Sequence, residues 1–257
     1  MISSFFINVL QKQSLLVHGT SSRWYVMNDE KKPLFFSTKG DGELFFKHQK
    51  VFLNSLGIEK EVLFRVDQVH GNHVYILKDS SVSVSEVSQC KADAIITDMP
   101  YCPIMVLTAD CVPVIIFDPV KHVVGVVHAG RLGTQKQILT NTIEALSREY
   151  NSNPKDLIVG TGPAIRGCCY EVDEPCILPF LTKSSLYPEF ICKKSKNNFF
   201  LDLPEANRLE GLKAGVLMEN IYNEGPCTSC ENDRWYSYRK EGKTGRLATL
   251  AMLKPSK

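Results

Sequence analysis

Two apolar runs, Val112-Pro113-Val114-Ile115-Ile116-Phe117 and Val123-Val124-Gly125-Val126-Val127, are separated only by a short segment that opens Asp118-Pro119-Val120-Lys121. Each run is rich in β-branched residues and bounded by turn formers, so the two read as adjacent strands of a hairpin. In such a hairpin the residue before the first strand and the residue after the second lie at the same open end. Cys111 and His128 are therefore expected to be neighbours although seventeen positions separate them. Taken singly, Cys111 reads as a small buried hydrophobe and His128 as a hydrogen-bonded core histidine. Their meeting at one strand end is what points to chemistry.

A third residue of the same kind, His70, stands in Gln68-Val69-His70-Gly71, between the expected strands 62–66 and 72–77. One thiolate and two imidazoles form the donor set of a catalytic zinc, because three protein ligands leave the fourth tetrahedral position open. The expected metal ligands are thus His70, Cys111 and His128.

With 257 residues, 44% of them apolar, the chain can bury a sizeable core, and no stretch reads as a linker, so 1–257 is expected to form one domain. A formal net charge of +2 without long runs of like charge gives no footprint for nucleic acid or a membrane surface. A small neutral or anionic ligand fits better. Nine cysteines are an odd number in a chain long for a disulfide scaffold, and the first ten residues lack the basic segment and long apolar stretch of a signal peptide. A reducing cytoplasm is expected, with the cysteines as thiols or metal ligands. Cys227 and Cys230 form a CxxC pair, but no second pair stands at zinc-ribbon spacing, and the pair alone does not specify a structural zinc. Adjacent Cys168 and Cys169 are expected in a tight turn near the pocket.

The spacing of Phe45, Phe52 and Leu56 before Gly57 predicts a helix over 43–56. Segment 80–88 alternates valines with serines and is expected as an exposed loop, while 92–97, 104–107, 157–160, 235–238 and 247–253 read as strands. Helices are expected over 134–150, capped by Thr134 with Leu139, Ile143, Leu146 and Tyr150 on one face, and over 202–214, opened by Asp202. The helix at Thr134 would turn its positive end toward the metal site, a geometry suited to an anion. Strands outnumber crossover helices, so an α+β class with mixed or antiparallel sheets is favoured over a doubly wound parallel one.

Several further segments occur in a telling order: Ala92-Asp93-Ala94, Thr108-Ala109-Asp110-Cys111-Val112-Pro113, His128-Ala129-Gly130, Gly162-Pro163-Ala164-Ile165, Cys168-Cys169-Tyr170-Glu171-Val172, Asp202-Leu203, Cys227-Thr228, Tyr236-Ser237-Tyr238-Arg239 and Thr244-Gly245-Arg246. Together with the His70 segment they resemble the laccase-domain, or multicopper polyphenol oxidase-like, family, over the chain from about residue 14 onward. The resemblance implies stacked sheets flanked by helices in α/β/β/α layers. It also implies a purine nucleoside phosphorylase with added adenosine deaminase activity, acting on a nucleoside and phosphate as a monomer or homodimer. Two departures stand out. The family's His-Ala-Gly-Trp-Arg-Gly reads His128-Ala129-Gly130-Arg131-Leu132-Gly133 here, and its His-Gly-Phe-Ser-Thr-Arg reads His18-Gly19-Thr20-Ser21-Ser22-Arg23. Both leave the ligands intact and alter loops expected to touch substrate.

A zinc on the three ligands would lower the pKa of a bound water to about 7 and so supply hydroxide for attack on C6 of adenosine. Phosphorolysis instead needs a bound phosphate aimed at the anomeric carbon, for which Arg23, Arg131, Arg239 and Arg246 are the expected contacts. Acid or base work is assigned to Asp93, Asp110 or Glu171, with Glu171 preferred and Asp110 equally suited to orient an imidazole. Three other readings stand beside this one. Cys111 with His128 as its base could cleave an amide or ester without metal. A copper phenol oxidase is disfavoured, since six histidines in all cannot build the usual multicopper sites. A binding protein that has lost catalysis would account for the altered Arg131-Leu132 segment.

Overall fold

The computed structural model describes residues 4–37, 42–59, 62–79, 81–182, 189–195 and 197–255. Its centre is the expected hairpin: Val112–Asp118 runs antiparallel to Val123–Ala129, with Val112 opposite Ala129 and Asp118 opposite Val123. Around it a six-stranded sheet runs in the order Ile221–Tyr222, Ile158–Thr161, Val112–Asp118, Val123–Ala129, Ala94–Thr97, Val74–Ile76. The two outermost pairings are parallel and the three inner ones antiparallel. A three-stranded antiparallel sheet, Leu16–Thr20, Leu247–Leu253 and Ile104–Thr108, stacks on one face of it.

The period-two geometry of a strand explains why the hairpin sequence is a continuous apolar run. Val123, Val127 and Ala129 face the helical side, while Val124 and Val126 face the smaller sheet, where Ile104, Val106 and Ala251 meet them. Both faces are covered, so polar residues are confined to the strand ends, Asp118 and His128. On the helical side Ile138–Tyr150 contributes Ile138, Leu139, Ile143 and Leu146, and Leu203–Lys213 contributes Leu203 and Leu209. The outer face of the smaller sheet, Met105, Leu107 and Leu250, is closed by Phe45, Phe52 and Leu53 of the helix Glu43–Ser55. Each fully buried side chain of this size contributes roughly 1.5 to 3 kcal/mol. The result is the expected α+β architecture in α/β/β/α layers, with a further small antiparallel sheet of Glu171–Asp173, Asn198–Leu201 and Ile191–Lys193 at one end.

Four local expectations are corrected. The serine-rich segment 80–88, whose first residue lies outside the described residues, contains the helix Val84–Gln89, because Ser83 and Glu86 form a reciprocal capping box and Val87 is fully buried. The expected helix 134–150 is broken: Arg131–Gln135 is a separate short helix, Gln137 adopts a left-handed conformation, and Ile138–Tyr150 starts afresh. The break leaves Ile138 and Leu139 buried, and Thr134 lies inside the short helix instead of capping the long one. At 235–238 there is no strand; Trp235 is buried edge-on against Phe5, and the helix Tyr238–Glu241 begins there. Segment 62–66 keeps only one bridge, Phe64 to Ile104.

The restarted helix is closed from a distance by Glu210, whose carboxylate accepts the Thr140 N–H at 2.8 Å. Burial raises the Glu210 pKa from 4.5 to about 7, outweighing the hydrogen bonds from Thr140 and the Leu139 N–H. The native state thus holds a proton that the unfolded chain releases, so this contribution is complete below pH 4.5 and is lost as the pH rises through about 7. Glu210→Gln keeps an acceptor for Thr140 and is expected to remove that slope. Urea unfolding of both proteins at about pH 5 and about pH 8 checks it: an identical pH dependence in the two would refute the assignment.

Candidate metal centre and its pocket

His70, Cys111 and His128 converge: their donor atoms all lie within 4.8 Å of one another. Cys111 immediately precedes the first hairpin strand and His128 is the penultimate residue of the second, so the open end brings them together as expected. His70 arrives on the loop that leads into Val74–Ile76. Gln68 pairs its side-chain amide with the backbone of Leu107, accepting its N–H at 2.7 Å and donating to its carbonyl at 2.8 Å. That pairing pins the His70 loop to the smaller sheet. The loop then turns sharply, with His70 at a φ of +56°, a conformation costly for a residue with a β-carbon.

Asp93 holds the turn in place. Its fully buried carboxylate accepts N–H groups from Gly71 at 2.6 Å, His70 at 3.0 Å and Val69 at 3.3 Å, and the Nδ1–H of His128 at 2.7 Å. One side chain therefore fixes the backbone of one ligand and the ring of the other. Because Nδ1 of His128 is engaged, Nε2 is the nitrogen left for an ion, the arrangement common to ligating imidazoles. Burial alone would push the Cys111 thiol up, but the charge of His128 and hydrogen bonds from His128 and His70 hold it at about 6. Burial likewise lowers His128, and the Cys111 thiolate and Asp93 raise it to about 9. The protein thus presents a preformed thiolate beside an imidazolium. Gly130 makes the close approach possible, since a β-carbon there would lie 2.8 Å from the Cys111 sulfur and 3.1 Å from Cδ2 of His70.

The three donors sit on the floor of a cavity of about 690 Å³, whose wall includes Arg131, Arg239, Arg246, Tyr170, Tyr238 and Leu203. A volume in this range suits a small organic ligand. Arg131 lines the cavity while Leu132 is 40% exposed, and among the described residues no salt bridge or hydrogen bond ties the Arg131 guanidinium down. Arg239 lies over the Tyr170 ring at 4.9 Å and donates to the Glu171 carbonyl, and Arg246 donates to the carbonyls of Thr244 and Gly245.

The remaining expected residues fall elsewhere. Arg23 pairs with Glu241 at 2.7 Å, donates to the Asn232 carbonyl and stacks on Tyr236. It is engaged away from the cavity wall. The Glu171 carboxylate also points away, to Lys194 and Asn198 at 2.8 Å each, and only its backbone meets Arg239. Asp110 lines the cavity but orients no imidazole; its oxygens accept from the Thr228 hydroxyl and the Arg239 N–H, both at 2.6 Å. The imidazole-orienting role belongs to Asp93. Gln68, Thr228 and Tyr170 stand in segments quoted above, but nothing local in the sequence marks their roles, which depend on partners far away in the chain.

Residues 19–254 match the family described as multi-copper polyphenol oxidoreductase laccase. The chain belongs to that family. Among its relatives, the purine nucleoside phosphorylase YlmD of Bacillus subtilis is 35% identical over 194 residues, which cover 73% of this chain and 69% of that protein. Human purine nucleoside phosphorylase LACC1 is 26% identical over 89% of this chain, which spans 53% of the human protein. The crystal structure of the Bacillus licheniformis hypothetical protein YfiH shares the fold, with a TM-score of 0.84, 26% identity and 93% of each chain covered. Membership of this family accords with the layered sheets, which the YfiH structure shares. No helix among the described residues is long and apolar enough to cross a membrane.

Proposed function

We propose that this chain is a zinc-dependent purine nucleoside phosphorylase, acting with phosphate on adenosine, inosine and methylthioadenosine and deaminating adenosine as a side activity. The observation that carries the reading is the meeting, in one cavity, of a His/Cys/His donor set and three arginines, in a family whose relatives bear the name purine nucleoside phosphorylase. The donor set fits the ion: His128 and His70 draw the Cys111 thiol toward the thiolate, Asp93 orients His128, whose Nε2 proton would leave as the ion binds, and three donors leave one side open to the cavity. Zinc bound there would supply Lewis acidity and lower the pKa of water. Zinc is preferred to copper because a multicopper oxidase needs several histidine-rich sites. Arg131, Arg239 and Arg246 supply the positive charge that a phosphate and the developing charge of a departing purine require. Tyr170, kept protonated by burial against the opposing pull of Arg131 and Arg239, offers an aromatic face for the base.

The test is chromatographic: a nucleoside panel incubated with and without phosphate. Free base should appear only with phosphate, and ammonia more slowly from adenosine; base release indifferent to phosphate would mean hydrolysis. Arg131→Ala is expected to weaken phosphate saturation by about 1.5 to 3 kcal/mol, the range for a hydrogen bond to a charged group, with metal content unchanged. An unaltered phosphate dependence would make Arg131 a bystander.

One observation favours a second reading. Asp93, His128 and Cys111 form a carboxylate–imidazolium–thiolate line of the kind that activates a cysteine nucleophile. On that reading the chain cleaves amides or esters without metal, and His70 only assists by its hydrogen bond to the Cys111 sulfur.

A further inference from the structure

Far from one another in sequence, the pair Cys168-Cys169 and the pair Cys227 and Cys230 meet in space. Their four sulfur atoms lie within 4.8 Å of one another, with Cys168 to Cys230 at 3.5 Å and Cys169 to Cys230 at 3.3 Å, and no disulfide joins them. The contact is built from below. Ala164 bridges Cys227 in parallel, its N–H donating to the Pro226 carbonyl and its carbonyl accepting from Thr228, so the turn before Cys168 and the turn of the CxxC pair share a backbone seam. Cys227 is buried, whereas Cys168 and Cys230 are exposed at the surface. Four thiols gathered this closely with no bond among them are the donor set of a closed metal site.

We propose that Cys168, Cys169, Cys227 and Cys230 hold a second metal ion, a closed tetrathiolate zinc separate from the one in the pocket. Four thiolates at bonds of about 2.3 Å complete a tetrahedron and leave no position for substrate, which makes the site structural. On binding, the ion displaces the thiol protons to solvent and no electrons are transferred. The sequence hides the site because one pair is adjacent in the chain, outside the usual spacing of two to four intervening residues. Its place gives it a purpose. Thr228, between the two cysteines of one pair, donates to Asp110 at 2.6 Å, and Tyr170, next after Cys169, lines the cavity. The ion ties two stretches of pocket wall together.

Metal quantification on protein purified without added metal tests this, with Cys111→Ala as the arm that empties the pocket. The wild type is expected to carry two zinc ions per chain, Cys111→Ala to retain one, and Cys230→Ser in that background to retain none. Cobalt exchanged into Cys111→Ala should give the intense thiolate absorption of a four-sulfur site. Should Cys230→Ser fail to fold, the Cys111→Ala count still decides, whatever reaction the pocket performs. A Cys111→Ala protein that binds no metal, or whose intact mass shows the loss of two hydrogens to a disulfide at Cys230, overturns the proposal.

Discussion

Replacing His70 by Ala is expected to empty the pocket of metal and reduce phosphorolysis by about a thousandfold or more, the several kcal/mol that a Lewis acid supplies. Cys111→Ala should do the same. The two variants together separate the mechanisms, because a metal-free thiolate–imidazolium enzyme cannot work without Cys111 but loses only a supporting hydrogen bond to the sulfur with the exposed His70. Activity that survives in His70→Ala and vanishes in Cys111→Ala would establish the cysteine hydrolase. Both proteins should remain folded, since neither residue belongs to the clusters that fill the two sheet faces. Near-ultraviolet dichroism alongside the activity assay checks that point.

The second large effect is expected at Asp93. In Asp93→Ala the N–H groups of His70 and Gly71 and the ring of His128 lose their acceptor inside a buried site, each orphaned group costing about 1 to 3 kcal/mol. A loss of global stability of about 3 kcal/mol or more should follow, measurable by urea unfolding. Asp93→Asn separates orientation from folding. An amide can still accept some of the backbone donors, but it offers an N–H where His128 also presents one, so metal affinity should fall about 10- to 100-fold while most of the stability returns. Equal metal affinity in Asp93→Asn and wild type would show that His128 needs no such orientation.

What could be read from the chain follows the range of the interactions involved. The hairpin of Val112–Asp118 and Val123–Ala129 was legible because burial on both faces writes an unbroken apolar run, and the convergence of Cys111 and His128 followed from it. The cap at Asp202 was legible for a local reason, a side chain accepting the Glu205 N–H three residues on. The helix Val84–Gln89 was overlooked although its signal is equally local: the Ser83 and Glu86 capping box lies among serines that suggest loop. The break at Gln137 was out of reach, for it depends on Glu210, seventy residues from Thr140. The same holds for Arg23 and Glu171, two charges that looked free and are held by Glu241 and by Lys194. Nothing near a charged residue in the sequence says which distant partner will claim it.

The seam at which the pocket metal would sit has a consequence for how the protein comes apart. His70 is pinned through Gln68 to the strand Ile104–Thr108 of one sheet, whereas Cys111 and His128 end strands of the other. Asp93, just before Ala94–Thr97, holds both His70 and His128 to the six-stranded sheet, so the Gln68 tie clamps the site to the smaller sheet as well. Any opening that slides one sheet over the other must break the Gln68–Leu107 pairing and pull on the His70 loop before either sheet has lost its own strand pairing. An ion held there acts as a rivet through two plates, and its escape into solution should precede the loss of secondary structure on heating.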